Sequence, residues 1–341
     1  MHAQFDHSAP QNATVLEKEP PAARLSARPN MVPETWDQAL RKLSGAYSDN
    51  TLRAYASDFR LFRVWCLQRG LSFLPAEPET LCRLIENQAK IHKPATVCRR
   101  LDAINRVHKL CGFRDPTDDE DVRLTLRRMQ RRQGRRQKQA LGLTAPLRDR
   151  LIDAASKDLR GLRNRALIAV GYDTLCRSAE LVALKAEDIQ MNPDGSGLIL
   201  VRKAKNDPFA EGRLAYLSSR TETLLDRWLT AAGISEGWIF RGVWGKTIST
   251  APIQTRHVGR IVKQLATAAR IDRERVEALS SHSMRGGAAQ DMAAAGIELT
   301  LIMHAGGGKS PTIVMRYIEH LEAARSGMAR MYEMNKGVRK F

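Results

Sequence analysis

The sequence predicts a mainly α-helical protein with a small β-sheet, divided into two domains. Three observations lead there. The chain has 341 residues, more than a single hydrophobic core ordinarily organises. Apolar residues recur at helical spacing through most of its length. Strand-like alternation is confined to residues 188–202 and 214–218.

Composition narrows the partner. Hydrophobic residues make up 43% of the chain, enough for packed cores, and 55 Lys+Arg against 37 Asp+Glu leave a formal charge of +18. Such an excess suits a polyanion, with nucleic acid the usual one. An anionic membrane surface is the competing partner, but no apolar run approaches the length of a spanning helix. The cysteines, Cys66, Cys82, Cys98, Cys111 and Cys176, are odd in number, scattered and without a C-x-x-C pair. That argues against a zinc site and against a disulfide framework. They read as reduced, mostly buried thiols of a cytoplasmic protein.

Residues 1–33 mix proline, alanine, glutamine and charge without periodicity or an apolar signal core, so a disordered tail is expected. Helical spacing then begins, with Trp36, Leu40 and Leu43 on one face. Ser48 suits the cap of a second helix that turns Leu52, Tyr55, Phe59, Phe62 and Trp65 inward and ends at Gly70. Beyond Pro75 and Pro78, Leu81, Leu84 and Ile85 begin a third. A fourth follows Pro94, with Val97, Leu101, Ile104, Val107 and Leu110 inward and Arg99, Arg100, Arg106 and Lys109 on its other side. The acidic run Asp118-Asp119-Glu120-Asp121 suits the positive end of a fifth helix dipole. Residues 34–133 thus read as a helical domain without strands.

Residues 123–139 carry eight basic side chains and no acidic one. Unpaired like charges repel unless an anion lies nearby, so Arg131, Arg132, Arg135 and Arg136 are expected on a phosphate backbone. Gly134 and the glutamines suggest fraying into a basic interdomain linker over 134–143. The second domain, 144–341, opens with Thr144-Ala145-Pro146 at a helix start. Helical segments follow at 151–155 and 162–172, then the strand-like segments around an Asn192-Pro193-Asp194-Gly195 turn. Leu224, Leu225, Trp228 and Leu229 mark the next helix, and 253–269 another that exposes Arg256, His257 and Arg260.

The chemistry-bearing stretch runs from Ser281 to Tyr317. His282 and Arg285 lie one helical turn apart on a single face. An alanine- and methionine-rich run continues that helix to Gly296. Ala305-Gly306-Gly307-Gly308 breaks the chain again before the helix that carries Tyr317. Upstream, Arg177 and Glu180 stand three residues apart at a helix start, and Arg202-Lys203-Ala204-Lys205-Asn206 forms a basic tip between the strands. A cationic pair, a glycine-rich turn and an isolated tyrosine suit a phosphodiester: arginine and histidine bind the phosphate and the phenol attacks it. Gly306 to Ser310 also mimics the end of a P-loop, but that motif needs glycine where Met303 stands and a strand before it.

Taken in order, Arg-x-x-Glu, a hairpin lysine, His-x-x-Arg and a tyrosine resemble the tyrosine recombinases of the phage-integrase family. Phe73-Leu74-Pro75-Ala76-Glu77-Pro78-Glu79, Lys138-Gln139-Ala140-Leu141, residues 174–180, and Ala305-Gly306-Gly307 with Ile313-Val314-Met315 extend the resemblance from about Trp36 to the C-terminus. It implies a C-shaped clamp on duplex DNA, made of a helical, SAM-like core-binding domain and a mostly helical catalytic domain. Arg177 and Arg285 would grip the non-bridging oxygens of the scissile phosphate. Tyr317 would attack, leaving a 3′-phosphotyrosine and a free 5′-hydroxyl. A phenol of pKa about 10 needs help at neutral pH; His282 is the implied base, Lys205 the general acid with Lys203 as the alternative, and Glu180 an orienting group. The phosphotyrosine keeps the bond energy, so no cofactor, nucleotide or metal is expected.

Arg256, His257 and Arg260 would read a groove, with Arg99, Arg100 and Arg106 on the other side of the duplex. The implied partner is double-stranded DNA with inverted-repeat sites, bound by a dimer at one site and a tetramer at synapsis. The segment after the tyrosine, Met328 to Met334, would dock on a neighbouring subunit. Such a protein is bacterial or phage-encoded and works at the nucleoid. One position departs from the pattern: nine residues before the tyrosine the family places tryptophan or histidine, and here stands Gly308. Two alternatives follow, a weak or inactive DNA-binding relative, and a type IB topoisomerase-like enzyme that shares the chemistry but acts as a monomer.

Overall fold

The structure, a computed structural model, describes residues 35–134, 136, 139–202, 211–308, 310–324, 328, 331 and 332. The chain divides between Gln137 and Lys138 into two compact units.

The first unit is helical. Its helices are α1 (Trp36–Arg41), α2 (Asp49–Leu67), α3 (Pro78–Ala89), α4 (Pro94–Leu110) and α5 (Glu120–Gln133). Phe59, Phe62, Leu81, Leu84, Ile85, Leu101, Ile104 and Val107 fill a common core. The Ser48 hydroxyl accepts the Thr51 amide at 3.3 Å, the cap that the sequence predicts. Asp119 caps α5 through the Asp121 amide at 2.9 Å, and Glu120 and Asp121 occupy its first turn. His108 is fully buried on α4. Its Nε2 accepts the Ala76 amide at 2.9 Å, so Nδ1 carries the proton and donates to the Ile104 carbonyl at 2.8 Å. That ring pins the loop before α3 to α4. Cys66 is buried, and burial pushes its thiol up to about 11.

The second unit begins with α6 (Ala145–Asp153), α7 (Leu159–Asp173) and α8 (Ser178–Val182), followed by strands β1 (Ile189–Met191), β2 (Gly197–Val201) and β3 (Arg213–Leu217). These strands form one antiparallel sheet in the order β1-β2-β3, with Ile199 opposite both Ile189 and Ala215. Helix α9 (Ser219–Ala232), strands β4 (Arg241–Trp244) and β5 (Thr247–Pro252), and helices α10 (Thr255–Ala268), α11 (Arg273–Ala278), α12 (Ser283–Ala294), α13 (Leu299–Ala305) and α14 (Pro311–Ala324) complete it. The main core gathers Leu167, Ile168 and Val170 of α7, Ile199 and Leu217 of the sheet, Trp228 of α9 and Ile261 of α10. A separate small cluster, Ala289, Ala293, Ile302, Val314 and Ile318, holds α12, α13 and α14 together.

The sequence predicts one pair of strand-like segments, whereas β4 and β5 form a second antiparallel hairpin. Gly242 and Gly245 give that stretch the composition of a loop. Gly242 is there for a packing reason: the Trp244 ring lies over it, and a Cβ would come within 2.6 Å of the indole. Within the basic run Arg123 differs from expectation, since it bonds Asp118 at 3.0 Å. Thr144 does sit at the start of α6 but makes no side-chain cap; the Ala145 amide donates instead to Asp291 on α12 at 2.6 Å. Among the described residues no helix is long and apolar enough to cross a membrane.

Candidate active site

Arg177 is the residue before α8. Its Nη1 donates to Glu180 Oε1 at 2.8 Å, and its amide donates to Oε2 of the same carboxylate at 3.0 Å. The three-residue spacing makes this possible, because the first turn of the helix folds the carboxylate back over the residue that opens it. Glu180 is buried; its Oε1 holds the Arg177 side chain and its Oε2 the Arg177 backbone. Just upstream, Leu175 holds a φ of 51°, a left-handed conformation rare outside glycine.

Arg285 lies on the first turns of α12 and is 5% exposed. Its Nη1 donates to the carbonyls of Leu175 and Gly306, both at 2.7 Å. Burial holds this guanidinium below the ordinary arginine range, and the neighbouring Arg177 adds to that; Tyr317 and Glu180 pull the other way. The turn after α13 can approach so closely only through glycine, since a Cβ on Gly306 would sit 3.0 Å from Arg285 Nη2. Asp291, on the same α12, accepts from both the Tyr172 hydroxyl and the Ala145 amide, which ties the helix to α6 and α7.

Tyr317 is half-buried on α14, where Val314 and Ile318 pack inward. Its ring lies beside Gly286: a Cβ on that glycine would be 3.4 Å from Tyr317 Cδ1. Gln290 of α12 donates to the Tyr317 carbonyl at 3.0 Å. His282 is exposed at the head of α12, its carbonyl accepting the Gly286 amide at 2.9 Å, one turn from Arg285. The Gly308 amide donates to the Met303 carbonyl at 2.8 Å. Arg177, Glu180, Arg285, Gly308 and Tyr317, far apart in the chain, therefore converge where α8, α12, the α13–α14 turn and α14 meet. Lys205 and its alternative Lys203 lie outside the described residues.

Arg213 is not among the residues that the sequence predicts, yet it enters this site from β3. Nη1 donates to the Ala305 carbonyl at 3.0 Å, and Nη2 donates to the Thr174 carbonyl at 2.8 Å. The same Nη2 is 4.0 Å from Glu180 Oε2. The available signal was strand alternation: Arg213 shares the inward face of β3 with Ala215 and Leu217, while Leu214 and Tyr216 are exposed. Gln290 likewise gave no sign, being one polar residue in an alanine-rich helix.

The expected DNA-contacting residues fall into several groups. Arg256 and Arg260 are exposed on α10 with His257 half-buried between them. Burial, then the charges of Arg256, Arg260 and Arg163, lower the His257 pKa. Arg131, Arg132 and Arg136 are exposed at and beyond the end of α5, and Arg135 lies outside the described residues. On α4 the expected outward row is only partly realised. Arg99 is exposed but forked onto buried Asp58 at 2.7 and 3.0 Å. Arg106 donates to the Tyr47 hydroxyl at 2.6 Å and stacks over that ring. Arg100 turns inward, only 12% exposed, toward Asp58 and Gln88; the buried carboxylate draws it there.

The sequence model of the phage integrase family matches residues 143–324. The chain is 31% identical over 305 residues to the recombinase Cre of Escherichia phage P1, covering 84% of this chain and 89% of that protein. It is 32% identical over 313 residues to an integrase/recombinase XerD homologue of Selenomonas ruminantium, covering 86% and 89%. Its fold is similar to that of the XerH site-specific recombinase, solved with a palindromic difH substrate in a post-cleavage complex. The TM-score there is 0.55 at 17% identity, over 82% of this chain and 78% of that one.

Proposed function

The chain is a member of the phage integrase family and a tyrosine site-specific recombinase, and from that premise we propose that Tyr317 cuts and rejoins duplex DNA through a covalent 3′-phosphotyrosine. The observation that carries this reading is the placement of the Tyr317 ring against Gly286, the residue next to Arg285. A phosphate held by Arg177 and Arg285 would then lie within reach of the phenol, and the same guanidinia would stabilise the charge of the pentacoordinate transition state. The Tyr317 oxygen bonds to phosphorus as the 5′-oxygen leaves. His282 takes the phenolic proton and Lys205 supplies one to the leaving oxygen. Attack by a 5′-hydroxyl on the phosphotyrosine reverses the step, so joining needs no outside energy.

In this proposal the partner is double-stranded DNA carrying inverted repeats, occupied by two copies at one site and four at synapsis, at the nucleoid. The palindromic substrate of the similarly folded XerH supports the repeat. The exposed Arg256, Arg260, Arg131, Arg132 and Arg136 supply cationic surface for it. Gly308 favours a second reading, a relative that binds DNA but cleaves weakly, because the family's aromatic donor is missing there.

Tyr317→Phe tests the assignment. The variant is expected to form no covalent protein–DNA complex on nicked duplex while its DNA affinity stays within a few-fold, since only the nucleophilic oxygen is removed. A shifted protein–DNA band on a denaturing gel would exclude Tyr317 as the nucleophile. Wild-type protein that binds but never forms the band would favour the weak-cleaving reading. Relaxation of supercoils without recombination of paired sites would favour the topoisomerase-like one.

A further inference from the structure

We infer that Arg213 is a positioning residue for strand cleavage, clamping the loop that leads into Arg177 against the turn that leads to Tyr317; this rests on the Tyr317 reading above. Two guanidinia span the same pair of segments. Arg285 binds the carbonyls of Leu175 and Gly306, and Arg213 those of Thr174 and Ala305, the preceding residue in each case. The four carbonyls thus form two matched rungs between segments that meet only through the fold. A planar guanidinium presents its donors as a rigid fork and can bridge two acceptors at a set angle, which a single ammonium does poorly.

The surrounding strain and charge show why a clamp is needed. Leu175 is a buried, non-glycine residue at φ 51°, a conformation that persists only where neighbours over-determine it. Arg213 holds the carbonyl on one side of it and Arg285 its own. That bend delivers Arg177 to Glu180. On the opposite segment Gly307 has a φ of 58°, and a Cβ there would lie 2.9 Å from Arg213 Cδ and Nε. The turn that contains Gly308 therefore rests directly on the Arg213 stem. Arg177, Arg213 and Arg285 surround Glu180, whose carboxylate reaches Arg177 at 2.8 Å and Arg213 at 4.0 Å. Their mutual repulsion disfavours the cluster when no further anion is bound. Each terminal nitrogen of Arg213 donates to a backbone carbonyl, which assigns Arg213 to placing Arg177 and the turn, while the phosphate itself is left to Arg177 and Arg285.

The experiment measures single-turnover covalent complex formation on a nicked duplex whose site is selected from a randomised DNA library by binding to wild-type protein. Arg213→Met keeps the apolar stem and removes the donors. Cleavage at saturating DNA is expected to slow by about a hundredfold, the effect of misplacing reacting groups by about 1 Å. The Kd for the same duplex and the melting temperature stay close to wild type. Arg213→Lys recovers part of the rate. Gly307→Ala strains the turn at φ 58° as well as pressing on Arg213, so it is read through the double variant, which is expected to be no slower than the worse single one where both act through the clamp. Arg213→Met that cleaves at the wild-type rate overturns the inference. So does a rate loss matched by equal losses of affinity and melting temperature, the mark of a merely structural residue. If Arg213→Met does not fold, Arg213→Lys decides: an unchanged cleavage rate overturns the clamp and a selective rate loss supports it. Wild-type protein that forms no covalent complex defeats the Tyr317 reading itself, and the inference falls with it.

Discussion

At Gly308 the backbone accepts a Cβ where the sequence pattern expects an aromatic side chain. A Cβ there would meet the Met303 carbonyl at 3.6 Å and Arg285 Nη2 at 3.8 Å, both ordinary contacts. An indole at this position could bring its N–H toward the phosphate and its ring toward the Tyr317 helix. A single preorganised donor to a developing oxyanion is worth on the order of 3 kcal/mol, about a hundredfold in rate. Gly308→Trp is therefore expected to speed single-turnover cleavage by at least about tenfold, with little change in DNA affinity. Equal or slower cleavage would show that the glycine belongs to a differently built site. The other site residues divide by how local their signal is. Arg177 with Glu180 and His282 with Arg285 are readable because one helical turn sets their spacing. Arg213 and Leu175 matter through carbonyls far away in the chain, and no local pattern marks a carbonyl that a distant guanidinium will bind.

Among the elements, the loop before α3 depends on a neutral imidazole. The Ala76 amide donates to His108 Nε2, and a proton on that nitrogen would break the bond. Burial lowers the His108 pKa from 6.5, opposed by the Ile104 carbonyl and the charge of Asp115. With the folded pKa depressed, its stabilising contribution is complete above the ordinary pKa of 6.5. It is lost as pH falls below that value, because the unfolded chain then takes up a proton that the folded one resists. Wild-type protein should lose more melting temperature between neutral and mildly acidic pH than His108→Gln does. Parallel losses would show that His108 does not titrate on unfolding. The basic run that begins on α5 carries a different consequence. Replacing Arg131, Arg132, Arg135 and Arg136 with glutamine should flatten the dependence of log affinity on log salt by about 0.9 for each phosphate left unneutralised, with the preferred DNA sequence unchanged. An unaltered slope would mean that the run only faces solvent.

For the molecule as a whole, α14 is held by a small cluster rather than by the main core, and apolar side chains near it face outward. Ile313, Met315, Met328, Met331 and Tyr332 are between 38% and 62% exposed. A surface of this kind suits a second copy of the chain. Deleting the chain from Ser326 should leave binding to a single site intact and abolish assembly of two sites; a truncated protein that still pairs sites would reject docking between subunits. The order of residues is enough to read the helical character of both units, the position of most helices, the strongly basic charge and the succession Arg177, Glu180, His282, Arg285 and Tyr317. Each of these is carried by periodicity, composition or a spacing of one helical turn. Folding in three dimensions was needed to pair β4 with β5, to turn Arg100 in to Asp58, and to set Arg213 and Arg285 across the same two segments. Those depend on a ring folding over a glycine, on a buried carboxylate's demand for a cation, and on backbone carbonyls brought together from distant parts of the chain, none of which leaves a local trace in the order of side chains.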